Sequence, residues 1–344
     1  MKRADCRASK TTAIGLRKRI EKYLKNIPPG ILGVQHMEPL EIHKMTPGSY
    51  NLNFHISVDI KEFIFRVNID QQSGLSRQVA YEYNALKFLE GRGLAPDVYH
   101  LDDTRQHFEF DILIEQYLEG PHLLLDKPHI TQVAALLSKL HSLDHGGVNF
   151  IFWQDPLKDT YDFVQKDIAH YKTRRTAEEK IIARSERTLK EIELRILKSN
   201  LPFQADSLNH TDVVCDNFIR TAEGLRMIDW EKPRVDDCSY DLSCFLSEPA
   251  QLWCSPYVLN AADREAFIEE YARLRGKSVE LLRKKIRIRE PMVSLHWILW
   301  GATKLCDLRE ERTSPELLGA HEEKLYRYER ITRVENVEKI LDSL

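Results

Sequence analysis

His210-Thr-Asp212-Val-Val-Cys-Asp-Asn217 sets an imidazole, a carboxylate and a carboxamide within eight residues, and Asp229-Trp-Glu231 begins twelve residues after Asn217. Oxygen donors from Asn and Asp are the hard ligands that Mg²⁺ takes, and a carboxylate nearby can orient a hydroxyl. Phosphoryl transfer asks for this set, because it needs positioned charge and little covalent chemistry from the protein. Asp212 reads as the catalytic base, and Asn217 and Asp229 read as catalytic metal ligands. Singly, Asp212 and Asn217 also suit a turn and Asp229 a strand end; the order and separation of all three favour the site.

Three further pieces could handle phosphates. Arg66 interrupts the apolar run Phe63-Ile-Phe-Arg-Val67, and a cation there is costly unless paired. Glu82, on the following helix, is the natural partner, and a strand cation held by a helix glutamate suits the α- and β-phosphates. The other reading turns Arg66 outward from an edge strand. In Thr46-Pro-Gly48-Ser49-Tyr-Asn51, the backbone around Gly48 and the Ser49 hydroxyl can cover phosphates, although the same residues make an ordinary turn. Glu115-Gln-Tyr117-Leu118-Glu-Gly120 closes a strand and leads into helices; its backbone is placed to meet the nucleotide base, with Tyr117 and Leu118 lining the slot.

The positioning elements follow from periodicity. Phe54–Val58 alternates apolar and polar residues, and Asp59-Ile-Lys61 is short enough for a hairpin turn. Phe110–Glu115 reads as another strand. Between them, Arg77 to Glu90 places Val79, Glu82, Leu86 and Leu89 on one helical face, and Gly91, Gly93 and Pro96 stop it. Further on, Thr131 is placed to cap a helix bearing Val133, Leu136, Leu137 and Leu140. Residues 157–200 are highly charged, with Ile182, Leu189, Ile192 and Ile196 at helical spacing, as in an amphipathic hairpin laid over the body. Strand-like pieces at 217–220 and 225–229 would return Asp229 to Asn217, and the pattern is then helical to Leu344. The expected fold class is α+β and two-lobed. Residues 1–118 form a small antiparallel β lobe with one key helix and a basic helical extension at 1–28; residues 119–344 form a larger, mainly helical lobe.

Bulk properties set limits. The chain has 344 residues, 42% hydrophobic and 30% charged, which suits two packed lobes and not extended disorder. A net charge of −3 gives no global attraction to a polyanion. Residues 1–25 do carry nine Lys/Arg against Asp5 and Glu21, read as a solvated amphipathic helix. Cys6, Cys215, Cys238, Cys244, Cys254 and Cys306 show no paired spacing, so reduced thiols are expected. No secretory leader and no membrane-length apolar run is visible. The expectation is a cytoplasmic protein with no membrane or nucleic-acid partner.

These residues, in this order, resemble the aminoglycoside phosphotransferase and choline kinase superfamily. The matching pieces are Phe65-Arg-Val67, Glu82 with Leu86 and Leu89, Ile114–Gly120, Leu140-His-Ser-Leu143, His210–Asn217, Ile228-Asp-Trp-Glu231 and Asp237-x-x-x-Asp241-Leu242. The resemblance spans about residues 40–250 and implies a protein-kinase-like fold using ATP and Mg²⁺. By position it implies Asp212 as base, Asn217 and Asp229 on Mg²⁺, Arg66 on phosphate, Glu82 orienting Arg66, a structural Asp241, and His210 as a brace. The chain departs from the family pattern in reading His-Thr-Asp for His-Gly-Asp, Val-Cys-Asp for His-Pro-Gly, and arginine for the lysine of aminoglycoside kinases. Protein-kinase Asp-Phe-Gly and Ala-Pro-Glu blocks are missing.

A base at Asp212 implies O-phosphorylation of a small acceptor: an aminoglycoside, a choline- or ethanolamine-like amino alcohol, or a sugar. Glu248, Trp253, Tyr257, Asp263, Glu270 and the helix carrying Trp297 and Trp300 lie where the family builds its acceptor pocket. Trp297 and Trp300 also share a face with Val293, as core residues would. A catalytically inactive nucleotide-binding scaffold is the alternative, and it would be expected to lose Asp212, Asn217 or Asp229. A thiol enzyme built on Cys215 and His210 lacks a third orienting residue. The sequence leaves the oligomeric state open.

Overall fold

The computed structural model describes residues 13–45, 48, 50–70, 75–197, 199–313 and 321–344. α1 (Ala13–Asn26) precedes β1 (Leu40–Lys44), β2 (Asn51–Val58) and β3 (Lys61–Asn68), which lead into α2 (Gln78–Leu89), β4 (Val98–Asp102) and β5 (Ile112–Gln116). The strands form one antiparallel sheet in the order β1-β2-β3-β5-β4. The expected hairpin is present, with Asp59 in the left-handed region at φ 56°.

Strand period explains what the sheet does for the site. Leu52, Phe54, Ile56 and Val58 alternate along β2, and Phe63, Phe65 and Val67 along β3; all pack with Ile20, Tyr23 and Leu24 of α1 in one apolar cluster. The same alternation turns Asn51, Asn53 and Arg66 to the opposite face, toward the helical lobe. On α2, the face bearing Val79, Glu82, Leu86 and Leu89 is buried as its spacing requires.

The helical lobe opens with α3 (Lys127–Leu140). This helix begins earlier than its apolar pattern suggests, so Thr131 lies inside it and Asp126 occupies the cap position. Next come β6 (Ile151–Phe152), α4 (Pro156–Lys172), α5 (Glu179–Leu197), β7 (Ser207–Asn209), β8 (Phe218–Thr221), β9 (Gly224–Met227) and β10 (Arg234–Asp236). The chain ends in α6 (Ser239–Leu246), α7 (Glu248–Cys254), α8 (Ala261–Arg275), α9 (Val279–Arg309), α10 (His321–Ile331) and α11 (Val334–Ser343). The α4–α5 hairpin packs Ile168, Tyr171, Ile182 and Ile192 on Met292, Leu295 and Leu299 of α9. Buried Arg289 of α9 pins it, donating to Thr160 Oγ1 (2.9 Å), Pro156 O (3.1 Å) and both oxygens of Asp236 (2.7 Å each).

One crossing fixes the connector against the site. Gly120 has φ 149°, and a Cβ there would stand 2.2 Å from the carbonyl oxygen of Arg220, so no larger residue fits. Beyond it, Arg220 N donates to Pro121 O (3.0 Å) and Leu123 N to Phe218 O (3.2 Å). The connector thereby becomes a third strand-like edge on the β8–β9 hairpin. Cys215, Cys238, Cys244, Cys254 and Cys306 are free thiols; Cys6 lies outside the described residues, as do residues 1–12 of the basic N-terminal segment. Among the described residues, no helix is long and apolar enough to cross a membrane.

Candidate active site

The His210–Asn217 loop leaves β7 under the control of one carboxylate. Asp241, in the first turn of α6, accepts from the backbone N–H of His210 (2.7 Å) and of Thr211 (2.8 Å), and its Oδ2 meets His141 Nε2 at 3.2 Å. Burial raises the Asp241 carboxyl's affinity for protons, but His141, His210 and the backbone donors outweigh it and hold its pKa below the ordinary value. Thr211 sits at φ 74°, a region that a β-branched residue enters only at a cost. Its Oγ1 donates to Lys232 O (3.0 Å), which helps to hold it there. His210 bonds Ile228 O through Nε2 (3.0 Å) and accepts Asp212 N–H at Nδ1 (3.3 Å). That pattern assigns the neutral Nε2–H tautomer, and burial likewise pushes its pKa down.

The hairpin closes the arrangement. Phe218 pairs with Met227, and Ile228 N donates to Asn217 O (2.9 Å), so Asp229 returns beside Asn217. The Asn217 Nδ2 group donates both to the Asp212 carbonyl and to its Oδ2, each at 3.0 Å. With the amide nitrogen committed to Asp212, the atom that Asn217 can offer a cation is Oδ1. Asp229, itself at φ 68°, places Oδ1 3.3 Å from Arg66 Nη1.

Arg66 is buried among carboxylates. It donates to Glu82 (2.5 Å) and Glu115 (3.1 Å) as well as Asp229. Burial works against its charge, yet Glu82, Glu115 and Asp229 overcome it and hold the guanidinium firmly protonated. Burial pushes the Glu82 carboxyl up, with Arg66 opposing. Glu231 completes the cluster, accepting from Asn51 Nδ2 and from Gln78 Nε2 (3.2 Å) across the lobe boundary. Burial and the neighbouring Asp229 push its pKa up to about 8, against Arg66 and Asn51.

These groups face one cleft of about 500 Å³ between the lobes, lined among others by Gly48, Asn51, Arg66, Asp212, Asn217 and Asp229. Its far wall is aromatic: Trp253, Trp297 and Trp300 meet edge to face, with ring centres 5.1 Å (Trp253–Trp300) and 5.3 Å (Trp297–Trp300) apart. Trp300 Nε1 donates to Tyr50 Oη (3.0 Å) across the cleft. Trp253 and Trp297 are core residues behind and lining residues in front. Among the described residues, no cluster of three or more His, Cys, Asp or Glu is arranged for a metal. A two-ligand site completed by phosphate oxygens is the form Mg²⁺ takes beside nucleotides.

The sequence profile of the phosphotransferase enzyme family matches residues 41–279, more than half of the chain. The chain belongs to that family. It is a phosphotransferase. Among solved structures, this phosphotransferase is similar to choline kinase from Cryptosporidium parvum Iowa II, at 17% identity and TM-score 0.64, over 95% of this chain and 96% of that one. It is similar to an ethanolamine kinase of Plasmodium vivax at 16% identity and TM-score 0.60, over 94% and 89%. It is also similar to the ADP-bound aminoglycoside phosphotransferase APH(2'')-Ib at 15% identity and TM-score 0.55, over 93% and 98%. These likenesses establish the protein-kinase-like fold. A search of curated protein sequences finds none that matches.

Several sequence expectations need correction. Glu115 does not offer its backbone to the cleft: Ile64 and Val98 pair with it on either side within the sheet, and its carboxylate holds Arg66. Tyr117 stacks on His55 with ring centres 4.3 Å apart and donates its N–H to Glu62 O (3.2 Å); neither it nor Leu118 lines the cleft. Ser49 lies outside the described residues. Of the acceptor-side residues, Glu248 pairs with Lys339 (2.5 Å) and lines a separate cavity. Tyr257 is 77% exposed, Glu270 pairs with Arg273 (2.7 Å), and Asp263 is bonded to Asn260 in the cap of α8 (2.7 Å). The resemblance put these residues in the acceptor pocket, but none of them lines the cleft. The reading of the sequence missed Tyr50, Asp216 and the α10 residues Glu323, Lys324 and Arg327, all of which line the cleft. Tyr50 and Asp216 lie inside the pieces 46–51 and 210–217, which assigned them no role, and no local motif marks the α10 residues.

Proposed function

We propose that this phosphotransferase moves the γ-phosphate of ATP to a hydroxyl of a small molecule, with Asp212 as base and Mg²⁺ held by Asn217 and Asp229. Residues 1–118 are then the nucleotide lobe and residues 119–344 the acceptor lobe. The observation that carries this reading is the pair of hydrogen bonds from Asn217 Nδ2 to Asp212, which fixes the carboxylate and leaves Asn217 Oδ1 for a cation beside Asp229. When bound, Mg²⁺ would neutralise phosphate charge. The acceptor oxygen forms a bond to the γ-phosphorus, the bond to the β–γ bridging oxygen breaks, ADP leaves, and the hydroxyl proton passes to Asp212. Arg66, held by Glu82, supports the nucleotide phosphates, and the turn at Gly48 covers them. The ADP of the aminoglycoside phosphotransferase supports nucleotide use on this fold.

The test is Mg²⁺-dependent ADP release from ATP with a panel of amino alcohols, aminoglycosides, sugars and hydroxy acids. Asp212→Asn is expected to lower turnover by about 10²–10⁴-fold with ATP affinity nearly intact. Equal turnover in the variant removes Asp212 as base. ATP binding without turnover of any acceptor favours an inactive scaffold.

A further inference from the structure

α10 contributes Glu323, Lys324 and Arg327 to the acceptor side of the cleft. Lys324 and Arg327 are three residues apart, so their side chains rise from neighbouring turns of one helix face. Arg327 is ion-paired to Asp216 of the catalytic loop and to Glu323 (2.7 Å), and its guanidinium lies over the Trp253 ring, 5.4 Å from the centroid. Lys324 Nζ donates to Gly48 O at 2.8 Å. From α9, Lys304 Nζ stands over the Tyr50 ring at 3.9 Å.

An amine acceptor would seek aromatic faces and carboxylates. Here a face of Trp253 and a face of Tyr50 already carry the protein's own cations, and both carboxylates of this wall, Asp216 and Glu323, are engaged by Arg327. An incoming ammonium would also meet repulsion from Lys304, Lys324 and Arg327. Lys324 already registers that crowding: burial, then Lys304 and Arg327, push its pKa down to about 8. An anion in the same place would relieve the crowding.

We infer that the acceptor carries, besides the hydroxyl that is phosphorylated, an anionic group such as a carboxylate or phosphate, which Lys324 and Arg327 hold against the tryptophan wall. The inference rests on the phosphotransfer reading and narrows its acceptor to hydroxylated anions. Lys324 stands at the turn proposed to cover the nucleotide phosphates, so its charge has a second use, on the phosphoryl group in transfer; the experiment separates the two.

Initial rates of ADP formation are measured with ATP and Mg²⁺ against three acceptor sets: hydroxy acids and sugar phosphates, neutral sugars, and choline, ethanolamine and aminoglycosides. The anionic set is expected to give the highest kcat/KM. Lys324→Met is expected to raise the acceptor KM about ten- to a hundredfold, the loss of one charge-assisted hydrogen bond, with the ATP KM unchanged. Lys324→Arg is expected to recover most of it, which separates charge from folding. Best turnover of a cationic or neutral acceptor overturns the inference. So does a Lys324→Met variant whose ATP KM rises while its acceptor KM stays put, since the charge then serves the nucleotide. Undiminished turnover in Asp212→Asn removes Asp212 as base, whichever acceptor set wins; silence with all three sets counts against both readings.

Discussion

At the scale of single residues, the loop is held by groups that do not touch the reaction. Asp241 accepts two backbone N–H groups, and removing it would leave both buried and unpaired. Asp241→Ala is therefore expected to cost about 2–5 kcal/mol in urea unfolding and to lower kcat along with it; a variant of wild-type stability would deny the brace. His210 adds a pH dependence. Its folded pKa is depressed by burial, so below about 6.5 the unfolded chain binds a proton that the folded one refuses. This contribution is complete above that pH and is lost as pH falls through the depressed value. His210→Gln should flatten the fall in Tm between pH 7 and pH 5; parallel curves for the two proteins would show that His210 titrates normally. The residues proposed to carry the chemistry stand out in the sequence because the motif packs them into twenty residues. Glu115's hold on Arg66, and the cations of α10, were not, because each pairing spans tens to hundreds of positions and depends on which way a strand or helix faces.

Elements differ in how much of themselves they print in the sequence. β2 and α2 were legible because each buries one clear face, β3 because it is a nearly continuous apolar run, and the charged α4–α5 hairpin showed its apolar stripe. β1, β4, β6, β7 and β10 were not: β1 and β4 have five residues each among mixed side chains, and β6, β7 and β10 hold only two or three. Pairing partners, rather than local pattern, make such short strands. The setting of α10 depends on another non-local fact. Gly301 of α9 lets Ile331 approach so closely that a Cβ would lie 2.7 Å from Ile331 Cδ1. Ile331 is fully buried, so it has nowhere to go. Gly301→Val is expected to destabilise by about 1–3 kcal/mol and, by displacing α10, to raise the acceptor KM more than the ATP KM. An effect on stability with both KM values unchanged would show that α10 is set by other contacts.

The molecule as a whole is two lobes joined across a polar seam, where Asn51 and Gln78 of the sheet lobe reach Glu231 of the helical lobe. On the proposed function nucleotide and Mg²⁺ would bridge that seam, and ATP at a hundred times its Kd should then stabilise the fold by about 2.7 kcal/mol. Chelation with EDTA should abolish most of the shift in Tm, and so should Asp229→Ala. A shift that ignores both treatments would place the nucleotide elsewhere. The hydrogen bond from Trp300 to Tyr50 has an optical consequence. Of the five tryptophans in the chain, Trp253, Trp297 and Trp300 face the cleft, and the Trp300 indole is tied to the opposite lobe. Intrinsic fluorescence is thus weighted toward the place where the lobes meet. Opening of the cleft, or entry of an acceptor, should register as a change in emission, so the protein carries its own unlabelled reporter for stopped-flow work.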